Sequence, residues 1–160
     1  MDEKRHKHRV EVALGVILRE ASSAFSQSAA GEVLVTQRPA NTPYANYWEF
    51  PGGKVEPGET AAACVVRELR EELGVEVAIL GKSRVIEHVY EHAWVRLRPY
   101  WCRIVTGSPP AVEVAAWRWV DTRELAKLAM PEGNKALVTA VRRKLALHTE
   151  ADEEDAETHE

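Results

Sequence analysis

Three glutamates, Glu68, Glu71 and Glu72, are the residues whose types and spacing most directly suggest chemistry. On a helix of about 3.6 residues per turn, Glu68 lies beside both Glu71 and Glu72, so three carboxylates crowd one face. Like charges at these spacings cost roughly 0.2–0.5 kcal/mol per pair, and a hard divalent cation reverses that cost by binding their oxygens. The spacing therefore predicts a site for Mg²⁺, with Mn²⁺ as a substitute.

A helix from near Thr60 to Gly74 is expected to position these carboxylates. Thr60 is a suitable N-cap, and Gly74 is a suitable terminator directly after the last apolar residue of the helix. The stripe opposite the glutamates is apolar and predicts packing of the helix against a sheet; it consists of Ala62, Val65, Val66, Leu69 and Leu73.

A glutamate-rich helix on its own is usually a solvated face, and the loop before it is what favours a functional site. Gly52, Gly53 and Gly58 allow close approaches that side chains would forbid, so backbone groups of this loop can reach a metal or a phosphate. Arg67 is interpreted as a structural partner of Glu59 or Glu68 that holds the loop on the helix. The alternative for Arg67 is a plain surface salt bridge.

The complete pattern resembles the Nudix box. It consists of Gly53, five residues, Glu59, seven residues, Arg67-Glu68-Leu69, one residue, Glu71-Glu72, one residue and Gly74. The resemblance implies that Glu68, Glu71 and Glu72 bind the metal ions with help from the Gly52 carbonyl. It implies structural roles for the remaining box residues, Gly53, Glu59, Arg67 and Gly74.

The chemistry implied by this resemblance is attack of a metal-activated water on a phosphoryl group. No covalent nucleophile is needed. The two cysteines, Cys64 and Cys102, have no CxxC partner and are expected to be small buried hydrophobes.

Outside the box, the chain resembles the MutT-like branch, the nucleoside triphosphate pyrophosphohydrolases that remove oxidised nucleotides, from about Val10 to Leu147. By this resemblance Arg38 contacts the nucleotide, and the run from Glu49 to Gly53, which includes Phe50, lines the site. A loop salt bridge is the alternative for Arg38.

Two further residues carry roles implied by the same branch. Glu113 precedes Trp119 by six residues and matches an additional metal ligand or general base, although a loop glutamate also serves solubility alone. Asn134, in the segment Pro-Glu-Gly-Asn, matches an asparagine that reads the purine edge, since a carboxamide both donates and accepts. The alternative for Asn134 is a turn or an N-cap of the last helix.

The base itself stays open at this point. His88, Tyr90 and His92 alternate, which predicts one shared strand face for either base stacking or ordinary packing. Pro43 stands where oxidised-guanine enzymes carry a hydrogen-bonding side chain, and cytidine triphosphate hydrolases have a similar loop. The expected reaction is hydrolysis of a nucleoside triphosphate such as 8-oxo-dGTP or CTP to the monophosphate and pyrophosphate. The alternatives are hydrolysis of ADP-ribose or of a dinucleoside polyphosphate, and a nucleotide-binding domain without hydrolytic activity.

The elements around the box predict an α/β (α+β) Nudix fold with a mixed β-sheet between helices. Strands are expected at Val10–Leu18, Glu32–Gln37, Val75–Ile86, His88–Val105 and Trp117–Val120. Asp121 with Glu124 can cap a short helix to Leu128, and Gly133–Leu147 forms an amphipathic helix.

Composition sets the remaining expectations. The chain has 160 residues, which suits one Nudix domain over residues 1–149. Residues 150–160 hold seven acidic side chains and no Lys or Arg, which predicts a disordered tail and leaves the rest of the chain at +3. No convincing targeting segment or membrane span is found, so a cytoplasmic location is expected, with a small nucleotide as the partner and no binding to membranes or duplex nucleic acid.

Overall fold

The computed structural model describes residues 7–20, 31–109 and 116–157, with side chains as far as residue 146. The elements are β1 (Arg9–Arg19), β2 (Glu32–Gln37), β3 (Trp48–Glu49), β4 (Gly52–Lys54), α1 (Ala61–Leu73), β5 (Glu76–Lys82), β6 (Ile86–Val89), β7 (Trp94–Thr106), β8 (Trp117–Val120), α2 (Thr122–Lys127) and α3 (Glu132–Glu157). The strands form one sheet with the order β3-β2-β1-β7-β5, to which β4 adds at β1, β6 at β7 and β8 at β2. Because β1 pairs parallel with β7 and the other pairs are antiparallel, the sheet is mixed as predicted.

The two faces of the sheet are covered by different helices. Along β1, Ala13 and Ile17 join the apolar cluster of α1, whereas Leu14 and Val16 join the cluster that contains residues of α2 and α3. This alternation follows from the two-residue period of a strand. It confirms the predicted sheet between helices.

Helix α1 has the predicted bounds because both of its ends are capped. The Thr60 hydroxyl accepts from the Ala63 amide at 3.1 Å, and Gly74 adopts a left-handed conformation with its amide bonded to the Arg70 carbonyl at 3.0 Å. Val65, Leu69 and Leu73 are fully or almost fully buried, each worth about 1.5–3 kcal/mol. The apolar stripe fixes the rotation of the helix and therefore the side on which its glutamates emerge.

Several predicted strand bounds were wrong. The run expected as Val75–Ile86 ends at Lys82, and the run expected as His88–Val105 is divided into β6 and β7. A turn closed by the Tyr90 amide on the Ala93 carbonyl, at 2.8 Å, makes that division. The stretch predicted as continuous loop before α1 contains β3 and β4, which are too short to show a sequence period.

The C-terminal helices agree with the sequence except at the chain end. Asp121 and Glu124 form the predicted capping box of α2, and Leu137, Val141 and Leu145 of α3 are buried. Helix α3 continues to Glu157, beyond the predicted end at Leu147, and the disorder of residues 150–160 stays a prediction. Alanine and glutamate have high helix propensity, and no Gly or Pro interrupts this stretch. No helix of the described chain is long and apolar enough to cross a membrane.

Candidate active site

The loop before α1 brings its backbone against the first helical glutamate. A Cβ atom on Gly53 would lie 2.4 Å from the carboxyl carbon of Glu68, and one on Gly52 would lie 2.0 Å from the Ala13 carbonyl oxygen of β1. At Gly52 a side chain would collide with the backbone of β1, and at Gly53 it would force the Glu68 carboxylate to move. The glycine pair therefore presses β4 onto β1 and leaves the Glu68 carboxylate directly over the Gly53 backbone.

Arg67 connects this loop to the helix. Its Nε and Nη2 donate to the two Glu59 carboxylate oxygens at 2.7 and 2.9 Å, and its Nη1 donates to Glu68 Oε1 at 3.0 Å and to Glu71 Oε2 at 3.3 Å. A longer contact reaches the Lys54 carbonyl at 3.4 Å. These contacts match the interpretation of Arg67 as the partner that holds loop and helix together.

Glu72 lies in a crowded acidic environment beside Glu68 and Glu49. Its pKa is raised to about 8, first by loss of solvation and then by the charge of Glu68, by a hydrogen bond shared with Glu68 and by the charge of Glu49. A hydrogen bond from the Gly52 backbone opposes this shift. Two carboxylates in contact need a proton or a cation between them.

The donor set fits a hard divalent cation. Glu68, Glu71, Glu72 and the Gly52 carbonyl offer only oxygen atoms, which Mg²⁺ and Mn²⁺ prefer. Across residues 7–20, 31–109 and 116–146, however, no three His, Cys, Asp or Glu side chains are arranged as a metal site. The Glu71 carboxylate is directed to Arg67 instead. Glu113 lies outside the described residues.

A pocket of about 340 Å³ opens beside this acidic face. All four predicted substrate residues, Arg38, Glu49, Phe50 and Asn134, line it together with Gly52 and Gly53. Its walls are largely apolar and come from alternate residues of β1 and β7, with two aromatic residues from loops; these are Val10, Val12, Leu14, Val95, Leu97, Tyr44 and Tyr90. Apolar walls with a few fixed polar groups are typical of a site for a planar base.

Arg38 takes part in the loop salt bridge that was its alternative interpretation. Its Nη1 donates to Glu49 Oε2 at 2.9 Å and its Nε donates to the Pro43 carbonyl at 2.8 Å. Burial raises the pKa of Glu49, and the hydrogen bond and charge of Arg38 partly offset that shift. Since Arg38 also lines the pocket, the salt bridge places a guanidinium at the pocket rim.

Asn134 does not cap the last helix, because α3 begins two residues earlier at Glu132. Its side chain is 7% exposed in relative terms, and its Oδ1 accepts from the Phe50 amide at 3.0 Å. Asn134 also lines the pocket. The bond joins the first turn of α3 to the loop between β3 and β4 across 84 positions of sequence.

The aromatic residues of the pocket were only partly recognised from the sequence. The rings of His88, Tyr90 and His92 do meet, with centroids 4.4 and 5.6 Å apart, but only His88 belongs to a strand. Tyr44, whose ring lies 5.9 Å from that of Tyr90, was missed. The alternation of Val10, Val12 and Leu14 along β1 was the sequence signal for the apolar wall.

Both cysteines are buried, as predicted. Burial first of all raises the pKa of each thiol to about 12, and the neighbouring carboxylate of Glu59 adds to the effect at Cys64. Thiols of this kind are not activated nucleophiles. The finding agrees with a reaction that uses no covalent intermediate.

The match to a known family decides the identity. Residues 24–140 match the sequence model described as NUDIX domain, which is well over half of the chain. This chain belongs to the Nudix hydrolase family. The predicted MutT-like assignment and the predicted class of enzyme, a nucleoside triphosphate pyrophosphohydrolase, are both confirmed.

Named relatives of this Nudix hydrolase fall into two groups. The "Putative 8-oxo-dGTP diphosphatase 2" of Mycobacterium tuberculosis is 44% identical over 58% of this chain and 67% of its own length. The "CTP pyrophosphohydrolase" of Escherichia coli K12 is also 44% identical, over 53% of this chain and 60% of its own length. The "8-oxo-dGTP diphosphatase" of E. coli K12 is 28% identical over 84% of this chain and 98% of its own length.

Solved structures agree on the fold. The solution structure of the E. coli ORF135 protein is similar at 29% identity with a TM-score of 0.64, covering 84% of this chain and 89% of its own. The crystal structure of the MutT protein from Methanosarcina mazei Go1 has a TM-score of 0.70 at 21% identity, covering 87% and 96%. At 21% identity, the similarity to the Methanosarcina mazei protein concerns the fold alone.

Proposed function

We propose that this Nudix hydrolase cleaves a nucleoside triphosphate to the monophosphate and pyrophosphate with Mg²⁺, which Mn²⁺ replaces, and that it prefers a purine with a carbonyl at position 6, as in 8-oxo-dGTP, over cytosine with its 4-amino group. The observation that carries the proposal is the hydrogen bond from the Phe50 amide to Asn134 Oδ1. It fixes the orientation of the carboxamide with Oδ1 turned to Phe50, so that the donor Nδ2 is the group expected to face a ligand.

At the phosphate end, Glu68, Glu71, Glu72 and the Gly52 carbonyl would hold the cation. Bound there, Mg²⁺ would lower the pKa of a water molecule and neutralise charge on the phosphates. Arg67 keeps Glu68 and Glu71 close to the loop, with Nη1 3.0 and 3.3 Å from their carboxylates. Glu113 is proposed as an additional metal ligand or the general base of the reaction.

At the base end, hydrogen-bond polarity favours a carbonyl. Asn134 Nδ2 donates, and the 6-oxo oxygen of a guanine-type base accepts, whereas the 4-amino group of cytosine also donates. Two opposed donors leave one of them unpaired in a mostly apolar pocket, which costs about 1–3 kcal/mol. This polarity favours the reaction named for the 8-oxo-dGTP diphosphatases over that named for the CTP pyrophosphohydrolase.

Other functions of the fold receive less support. The apolar walls and the single carboxamide suit one base, whereas a dinucleoside polyphosphate or ADP-ribose brings a second nucleoside moiety that these residues do not address. A domain that binds without hydrolysis has no need of three glutamates on one face of α1. The predicted role in removing oxidised nucleotides and the cytoplasmic location stay parts of this proposal.

A hydrolysis panel tests the proposal. The full-length chain is assayed with Mg²⁺, with Mn²⁺ and with a chelator, against 8-oxo-dGTP, dGTP, CTP, dCTP, ADP-ribose and diadenosine tetraphosphate. Release of pyrophosphate and release of phosphate are scored separately. We expect pyrophosphate release that depends on the cation and a higher kcat/KM for 8-oxo-dGTP than for CTP. Preference for CTP would overturn the assignment of the base, and turnover of ADP-ribose alone would overturn the reaction class.

A further inference from the structure

Tyr90 holds the segment that contains Asn134. The Gly133 amide donates to the Tyr90 hydroxyl oxygen at 2.9 Å, which joins the turn between β6 and β7 to the first turn of α3. A Cβ on Gly133 would lie 3.1 Å from that hydroxyl oxygen and 3.0 Å from Leu97 Cδ1, so glycine allows the approach. Gly133 and Asn134 are consecutive, and both Tyr90 and Asn134 line the pocket.

The hydroxyl hydrogen of Tyr90 remains available. A phenol both donates and accepts, and here the oxygen already accepts from Gly133. Within the described part of the chain, no group accepts a hydrogen bond from this hydroxyl. Loss of solvation raises the pKa of Tyr90 above its ordinary value, so the group stays protonated at neutral pH. The pocket lining therefore includes two side chains with donor hydrogens, Tyr90 O–H and Asn134 Nδ2–H.

We propose that Tyr90 is a specificity-determining residue, whose hydroxyl donates to the exocyclic carbonyl of the base beside Asn134 Nδ2. A carbonyl oxygen has two lone pairs and accommodates both donors, whereas an amino group faces two donors and satisfies neither. The inference rests on the proposed function and deepens it, because it assigns the choice between carbonyl and amino bases to a second side chain.

The alternative is a purely structural hydroxyl that fixes the start of α3. Tyr90→Phe separates these two roles when the variant is assayed on deoxyinosine triphosphate and deoxyadenosine triphosphate. These substrates carry a carbonyl and an amino group at position 6, with N1 protonated in the first and unprotonated in the second, and are otherwise identical. We expect KM for the inosine substrate to rise about fivefold to tenfold with kcat within about twofold, and kcat/KM for the adenosine substrate to stay unchanged. If the hydroxyl were purely structural, Tyr90→Phe would lower kcat/KM for both substrates by the same factor. That result would overturn the proposal.

Tyr47→Phe is the matched control. Tyr47 is 38% exposed, its ring contacts Tyr44 at 5.5 Å, and it does not line the pocket. The control also removes a tyrosine hydroxyl, and kcat/KM should stay unchanged for both substrates.

A binding measurement keeps this inference apart from the proposed function. If the wild-type chain hydrolyses no nucleoside triphosphate of the panel, the proposed function fails, and the inference is still tested by titration with deoxyinosine and deoxyadenosine monophosphate. We expect the inosine nucleotide alone to shift the Gly133 amide resonance, because that amide donates to the Tyr90 hydroxyl. We also expect Tyr90→Phe to weaken the binding of deoxyinosine monophosphate and to leave the binding of deoxyadenosine monophosphate unchanged. Equal binding of the two nucleotides by wild type and variant would overturn the inference.

Discussion

Glu59 and Arg67 form a two-point ion pair, with Arg67 Nε 2.7 Å from Glu59 Oε2 and Arg67 Nη2 2.9 Å from Glu59 Oε1. The pair ties the loop before α1 to the middle of the helix. Because the remaining nitrogen of Arg67 contacts Glu68, the position of a proposed metal ligand depends on a pair that does not itself touch the metal.

The Glu59–Arg67 pair predicts a pH dependence of stability. Hydrogen bonds from Arg67 hold the pKa of Glu59 at about 2, against an ordinary value of 4.5. Because the folded-state pKa is the lower one, the stabilisation is present above pH 4.5 and is lost as the pH falls towards 2. The difference in Tm between wild type and Glu59→Gln should therefore be largest near neutral pH and shrink below pH 4.5.

Glu56→Gln is the control for this measurement. Glu56 lies 3.8 Å from Arg67 with 63% of its side chain exposed, and its removal should change Tm little at any pH. A Glu59→Gln deficit that persists undiminished to about pH 3 would show that the pair is not the source of the stabilisation.

Removal of one carboxylate charge from α1 should abolish most activity. Glu68→Gln and Glu72→Gln each take away an oxygen ligand of the cation, and kcat/KM at limiting Mg²⁺ should fall by at least about 10²-fold with Tm retained. Glu76→Gln serves as the control, since Glu76 is ion-paired with Arg70 on the exposed surface. Full activity of either site variant at limiting Mg²⁺ would remove that residue from the metal site.

Gly53→Ala should act on Glu68 without changing any charge. The added methyl group would meet the Glu68 carboxyl carbon at 2.4 Å, so the carboxylate must move. We expect activity to fall about 10-fold or more and the apparent Mg²⁺ affinity to weaken. Gly81→Ala is the control, because its nearest neighbour would be Trp101 Cδ1 at 3.7 Å. Unchanged Mg²⁺ affinity in Gly53→Ala would contradict the role of this glycine.

The helix of the candidate site could be predicted from the sequence because its signals are local. Thr60, Gly74 and the apolar stripe fix the bounds and the rotation of α1 within one short segment. Two partners of Arg67, Glu59 and Glu68, lie close to it in sequence and were predicted for the same reason, whereas its contacts with Glu71 and the Lys54 carbonyl were not predicted.

The pocket could not be predicted to the same extent, because its contacts join distant segments. Phe50 meets Asn134 across 84 positions, and Tyr90 meets Gly133 across 43. The turn that separates β6 from β7 contains neither Gly nor Pro, so the hydrophobic run appeared continuous. Arg38 illustrates the limit of a resemblance, since its position was expected but its bond to Glu49 was only an alternative.

Glu113 is predicted to serve every substrate alike. Metal binding and water activation are common to all triphosphates, so Glu113→Gln should lower kcat/KM by a similar factor across the hydrolysis panel. The measurement is the ratio of kcat/KM values for 8-oxo-dGTP and CTP, which should stay constant. A change in that ratio would place Glu113 beside the base.

The last prediction concerns Asn134→Asp, which keeps one function of the side chain and reverses the other. A carboxylate still accepts from the Phe50 amide, but it offers an acceptor where Nδ2 donated. We therefore expect kcat/KM for 8-oxo-dGTP to fall by about 10- to 100-fold and the preference to move towards CTP, whose amino group donates. Burial would raise the pKa of the introduced carboxyl group, so the assays are run at about pH 8.5, where the ionised form is favoured. Asn134→Ala lacks both functions and leaves the Phe50 amide without its acceptor, so it should lower Tm as well as activity. If the Asp variant kept the preference for 8-oxo-dGTP, Asn134 would act only through Phe50, and the carbonyl preference would need another source.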